Sequence, residues 1–344
     1  MIGPGILCRA AARRARMMHL QKAITAYVCA QLRRMRILLS SFLAVTTLVI
    51  GQETAQLNRP HITGVAHIAL FVQDIEKSRA YYRDLLGYRE VFSLSKDDGS
   101  LSLTFVKVND RQYIELFPEV ASNTDRLNHI SIEVNDASAM RTYLASRGIK
   151  VPEKVGKGRI GNSNFNVKDP DGNTVEIVQY EPGGWTVRDK GKALNGPRIS
   201  TRMTHVGILV GALEPAMKFY RDILGFEEIW RGSRDGKRLD WVNMKVPNGY
   251  DYIEFMLYDR TPAPTARGSQ HHICFAVEDL DKTLTDLQQR PALKAYTRPL
   301  EIRTGINRKR QLNLFDPDGT RTELMETNTV DGQPATSSKA PPPR

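Results

Sequence analysis

Val65–Gly87, VAHIALFVQDIEKSRAYYRDLLG, and Met203–Gly225, MTHVGILVGALEPAMKFYRDILG, are two copies of one segment set 138 residues apart. Each copy reads as an alternating strand, then an amphipathic helix, then a glycine stop. In the first copy the helical period falls on Tyr81, Tyr82, Leu85 and Leu86, which predicts a helix over about Ile75–Leu86 ended by Gly87. Working outward, Asn128–Val134 (NHISIEV) matches His271–Val277 (HHICFAV), and Val167–Ile177 (VKDPDGNTVEI) matches Leu314–Leu324 (LFDPDGTRTEL). The chain is therefore a duplication of a duplication: four units, each a strand, a helix and further strands closed by tight turns. The Asp-Pro-Asp-Gly runs at 169–172 and 316–319 supply turn chemistry just before the last strand of units two and four.

Alternation divides each first strand into two faces. One face is uniformly apolar, as in Ile68, Leu70 and Val72 or Ile273, Phe275 and Val277, and must meet the unit's own helix. The other face begins with His67, His129, His205 or His272, followed two residues later by Ala69, Ser131, Gly207 or Cys274. A histidine with a small neighbour on the face away from the helix lines a cavity. The last strands repeat this logic: Glu115, Glu176, Glu254 and Glu323 each stand between residues of the helix-facing side. From each histidine to its glutamate is 48, 47, 49 and 51 residues in the four units, one unit length each time. A buried carboxylate costs several kcal/mol unless it is paired or binds a metal. His19, His61 and His271 stand outside this pattern and receive no role.

The formal charge of +11 is misleading as a guide to partners. Eight of the 49 Lys/Arg and none of the 38 Asp/Glu lie in residues 1–51, so the body is nearly balanced at 41 against 38. A nucleic-acid partner is not expected of it. The basic start, with Arg33, Arg34 and Arg36 before an apolar run Ile37–Ile50, has the form of a leader peptide cut near Gly51-Gln52. Export to the periplasm or exterior is the expectation, with a membrane anchor as the alternative; the run is too short for the roughly 20 residues of a spanning helix. Cys8 and Cys29 fall in that stretch, leaving Cys274 alone in the body, so a metal must be held by nitrogen and oxygen. The expected organisation is a leader at 1–51, a domain of two units at 62–180, a linker at 181–201, a second such domain at 202–326, and a disordered Thr/Ser/Pro-rich tail at 327–344.

The residues HIALFV…DIEKSRAYYRDLLGY, NHISIEV and DPDGNTVEIV resemble the vicinal oxygen chelate superfamily, which includes glyoxalase I, extradiol dioxygenases, methylmalonyl-CoA epimerase and fosfomycin-resistance proteins. The resemblance covers about residues 62–326. It implies an α+β fold of four βαβββ modules paired into two cups, each with two His and two Glu facing a divalent metal (Ni, Zn, Fe, Mn or Co). Carried over residue by residue, the ligands are His67, Glu115, His129, Glu176, His205, Glu254, His272 and Glu323. Sequential pairing of modules (1 with 2, 3 with 4) and swapped pairing (1 with 4, 2 with 3) both give this composition.

Four such donors leave two adjacent positions of an octahedron for a small substrate with vicinal oxygens, which suits enediolate chemistry next to a carbonyl. By resemblance to glyoxalase I, Glu176 and Glu323 are the expected catalytic bases. Extradiol ring cleavage is the alternative; it needs a third open position, which Glu115 and Glu254 obstruct, and a tyrosine where Asn313 stands. A metal-free binding or resistance protein is the third possibility. The basic run Arg303, Arg308, Lys309 and Arg310 reads either as an anion site or as a solvated loop, the latter being favoured.

Overall fold

The structure, a computed structural model, describes residues 17–19, 21–22, 24–33, 57–119, 121 and 124–343. The expected apolar run Ile37–Ile50 and the cut near Gly51-Gln52 lie outside the described residues. Among the described residues, no helix is long and apolar enough to cross a membrane.

From Asn58 onward the chain forms one unit built on two eight-stranded sheets. The first sheet contains β1 (Ile62–Val72), β2 (Arg89–Ser95), β3 (Leu101–Lys107), β4 (Tyr113–Pro118), β5 (Leu127–Val134), β6 (Gly156–Lys157), β7 (Ser163–Lys168) and β8 (Thr174–Gln179), in the order β2-β3-β4-β1-β5-β8-β7-β6. The second repeats this with β9 (Met203–Val210), β10 (Glu227–Gly232), β11 (Trp241–Lys245), β12 (Tyr252–Leu257), β13 (His272–Val277), β14 (Ile302–Thr304), β15 (Lys309–Phe315) and β16 (Arg321–Thr329), ordered β10-β11-β12-β9-β13-β16-β15-β14. The modules therefore pair sequentially. Within each sheet the two modules join through their first strands, β1 with β5 and β9 with β13, both antiparallel. Each sheet curls into a half-barrel, here termed the N-terminal and C-terminal cups.

From Asn58 onward the α-helices are α1 (Ile75–Arg79), α2 (Ala137–Ser146), α3 (Trp185–Arg188), α4 (Leu213–Met217) and α5 (Leu280–Gln288). The helix expected over Ile75–Leu86 has that extent, but its second half, Ala80–Leu85, widens into a π-helix, as does Lys218–Ile223 after α4. Asp74 starts α1 by accepting from the amides of Glu76 and Lys77. Gly87 ends it at φ +80°, where a side chain would overlap the Pro197 carbonyl.

One apolar core runs through both cups on the helix side: Ile68, Leu70, Ile130 and Ile132 from one, Val206, Ile208, Ile273 and Phe275 from the other. Two buried ties related by the internal repeat cross it. The Tyr82 hydroxyl donates to Asp316 at 3.1 Å, and the Tyr220 hydroxyl donates to Asp169 at 3.0 Å. Each aspartate opens an Asp-Pro-Asp-Gly turn and also accepts that turn's own amides. The motif thus launches the last strand of its module and fastens it to a helix of the other cup.

Two expected connections prove more structured than their composition implied. In the segment 181–201, Trp185 packs on Phe92, and Asp189 and Lys192 supply three of the four oxygens around the fully buried Lys107 ammonium. The tail at 327–344, expected to be disordered, first continues β16 to Thr329 and then crosses to the opposite edge of its sheet. There Ser338 donates its amide to the Arg231 carbonyl, and the Pro341 carbonyl accepts from Leu239. Side-chain contacts hold the first segment and backbone pairing the second, and composition reports neither.

Candidate metal centres

The small residues opposite the helix-facing side are explained by cross-strand register. His67 lies opposite Ser131 and His129 opposite Ala69; in the other cup His205 lies opposite Cys274 and His272 opposite Gly207. Each first strand therefore offers a short side chain as the seat for its partner's imidazole. At Gly207 a Cβ would overlap the His272 ring. The outer parallel strands then bring Glu115 beside Ala69, Glu176 beside Ser131, Glu254 beside Gly207 and Glu323 beside Cys274.

All eight side chains are buried. In the N-terminal cup the Nε2 atoms of His67 and His129 face each other 2.9 Å apart, and in the C-terminal cup those of His205 and His272 are 3.0 Å apart. Two nitrogens bound side by side to one ion at the usual ~2.1 Å would be separated by about 3 Å. The outer nitrogen of His272 donates to the Gln270 carbonyl at 2.7 Å, which leaves its Nε2 lone pair directed inward. His129 Nδ1 lies 3.1 Å from Asn128 Oδ1 in the same role.

The carboxylates distinguish the cups. Donor atoms of His205, Glu254, His272 and Glu323 all lie within 4.8 Å of one another, whereas in the N-terminal cup the mutual group is His67, Glu115 and His129. Glu176 approaches both imidazoles about as closely as Glu115 does, its Oε2 lying 3.9 Å from His129 Nε2, but falls outside that mutual group. Its Oε2 is 2.9 Å from His67 Nε2, without an aligned hydrogen bond, while its Oε1 accepts from Asn164 at 2.6 Å. The expected equal sets of four are thus drawn together in one cup and split three and one in the other. Asn164 was not legible from its own strand; only the pairing of β7 with β8 brings it to Glu176.

Burial pushes the Glu115 carboxyl up to about 7 against the attraction of His67. It also acts to raise Glu176, but the charge of the adjacent His67 outweighs it and holds that carboxyl at about 2. Burial and the adjacent His67 push His129 down to about 4, while the two carboxylates overcome desolvation and raise His67. The C-terminal cup divides in the same way, with burial lowering His205 and the carboxylates raising His272. Each cup is a buried acidic nest that draws a proton onto one imidazole, the electrostatic condition for holding a cation.

Other candidates resolve as follows. His271 is buried at the strand's edge, 3.4 Å from Asp125, away from either nest. The basic run divides: Arg303 pairs with Glu301, Arg308 with Asp331, and Arg310 with Asp281 and Glu326. Lys309 makes no ion pair among the described residues. A cavity of about 190 Å³ opens onto the N-terminal nest, walled by Leu94, Leu103, Phe105, Phe117 and Ile160, with Thr186 of the connecting segment on its lining.

Residues 64–177 and 202–324 match the family described as the Glyoxalase/Bleomycin resistance protein/Dioxygenase superfamily, and the chain belongs to it. It is 28% identical over 126 residues to a lactoylglutathione lyase of Neisseria meningitidis, covering 34% of this chain and 91% of that one. It is 24% identical over 233 residues to a putative ring-cleaving dioxygenase of Bacillus subtilis, covering 63% and 73%. Among solved structures, the Mn(II)-bound glyoxalase from Novosphingobium aromaticivorans superposes with a TM-score of 0.58 at 17% identity, covering 78% of this chain and 83% of that one. That last likeness is one of fold.

Proposed function

We propose that the chain is a divalent-metal-dependent enzyme of the glyoxalase kind, moving a proton next to a carbonyl on a small substrate with vicinal oxygens. The carrying observation is the pair of opposed Nε2 atoms, 2.9 Å and 3.0 Å apart, each pair flanked by two buried carboxylates. His67, Glu115, His129 and Glu176 would hold one ion, and His205, Glu254, His272 and Glu323 the other. A nitrogen and carboxylate set of this kind suits Ni, Zn, Fe, Mn or Co. A bound ion would act as a Lewis acid on the substrate oxygens.

The protein's own part is the proton. Glu176, held by Asn164 on one oxygen with the other free of an aligned donor, is placed to accept the substrate's C–H proton and return it to the neighbouring atom. Glu323 is its counterpart in the C-terminal cup.

Ring cleavage by oxygen is the second reading. It is favoured by the trio His67, Glu115 and His129, which leaves more room than four ligands, and by an apolar wall suited to an aromatic ring. Metal-reconstituted protein in an oxygen electrode with a panel of catechols separates the two. Oxygen uptake with ring opening would establish the second reading. Solvent deuterium in the product of a 2-oxo-aldehyde adduct, without oxygen uptake, supports the first.

A further inference from the structure

The two cups share their nest but not the walls around it. Aligned by register, the N-terminal cup places Phe92 opposite Phe105 and Phe105 opposite Glu115, where the C-terminal cup has Trp230 opposite Asn243 and Asn243 opposite Glu254. The start of the last strand differs too. Arg321 stands beside His272 and two residues before Glu323, on the same face; its counterpart in the other cup is Thr174, two residues before Glu176.

The C-terminal cup leaves hydrogen-bonding capacity unspent. Arg321 Nε and Nη2, Trp230 Nε1, Asn243 Oδ1 and Asn313 Oδ1 are all buried without a partner, and register puts every one of these side chains on the face that carries the nest. Asn243 is only 6% exposed and Trp230 only 9%. No carboxylate lies within ion-pairing distance of Arg321 among the described residues. Orphaned buried donors are costly, and a guanidinium more so than a neutral group. The Nε and Nη2 edge is also the fork that a carboxylate matches with two parallel bonds.

We propose that Arg321, its Nε and Nη2 edge unpaired beside His272, forms a carboxylate subsite at the second centre, so that the C-terminal cup takes a small oxygen-chelating substrate bearing an additional carboxylate. The inference deepens the reading of that centre as a metal site and rests on it.

The test compares malate with lactate by calorimetric titration of the metal-reconstituted full chain. Both probes carry the same chelating α-hydroxy acid; only malate has a second carboxylate. Malate is expected to bind about 10- to 100-fold more tightly than lactate, the range for a hydrogen-bonded charge. Arg321→Met should bring the ratio to about one, and Arg321→Lys should keep part of it. Absence of a malate preference in the unaltered protein overturns the subsite. So does an unchanged ratio in folded Arg321→Met with full metal content. Should Arg321→Met fail to fold, Arg321→Lys alone decides, because a ratio undiminished by loss of the planar fork overturns the assignment. A malate preference in unaltered protein whose second centre takes up no metal on reconstitution would refute the metal reading and leave the subsite standing.

Discussion

Sequential pairing makes a quantitative demand on metal content. With His67 and His129 in one sheet and His205 and His272 in the other, the double change His67→Ala, His129→Ala strips both imidazoles from one nest and touches nothing in the second. Four-donor sites bind zinc with roughly 10–16 kcal/mol, or about 3 kcal/mol per donor if shared evenly. Losing two donors costs about 5–8 kcal/mol, a fall in affinity of roughly 10⁴- to 10⁶-fold. Dialysed protein should therefore drop from two ions per chain to one, read by elemental analysis, with circular dichroism unchanged. The double change His67→Ala, His205→Ala should instead weaken both sites by about 10²-fold each, one donor being lost from each. Two ions retained after His67 and His129 are both replaced would falsify the ligand assignment. Loss of both ions with the fold intact would mean that the nests are not independent.

The N-terminal site should bind metal more weakly in acid. Glu115 and His67 must both be deprotonated to bind, burial sets the Glu115 carboxyl at about 7 and the carboxylates raise His67, so affinity should fall by at least about ten-fold per pH unit below 7. Competition titrations against a chromophoric chelator at several pH values check this, and a flat profile from pH 5 to 8 would contradict it. Glu176→Gln and Glu323→Gln should each lower turnover at their own centre by ~10²–10⁴-fold, the usual share of a positioned base, with metal content retained. Tyr82→Phe and Tyr220→Phe each remove one tie between the cups and leave a buried aspartate oxygen short of a donor. Each should destabilise the chain by about 1–3 kcal/mol in denaturant titration, and the two together should add, because they lie at separate places in the interface.

What the sequence determined by itself was the module and its two faces. Period-two alternation is a local property, so His67, Ala69 and Ile68 declare their sides without any knowledge of neighbours, and the fourfold recurrence of His and Glu marks a shared cavity. Tertiary structure alone decided which modules share one. Both pairings bury the same apolar faces and bring together the same residue types, so alternation is blind to the choice; the antiparallel joining of β1 to β5 and β9 to β13 settles it. The same limit applies to Asn164, the Tyr82–Asp316 and Tyr220–Asp169 ties, and the tail held at Arg231 and Leu239, where the partners lie in other strands, modules or edges. It applies most to Arg321. In the sequence it is one arginine among many, and only the register that sets it beside His272, among polar groups without partners, shows that the two cups differ in what they can bind.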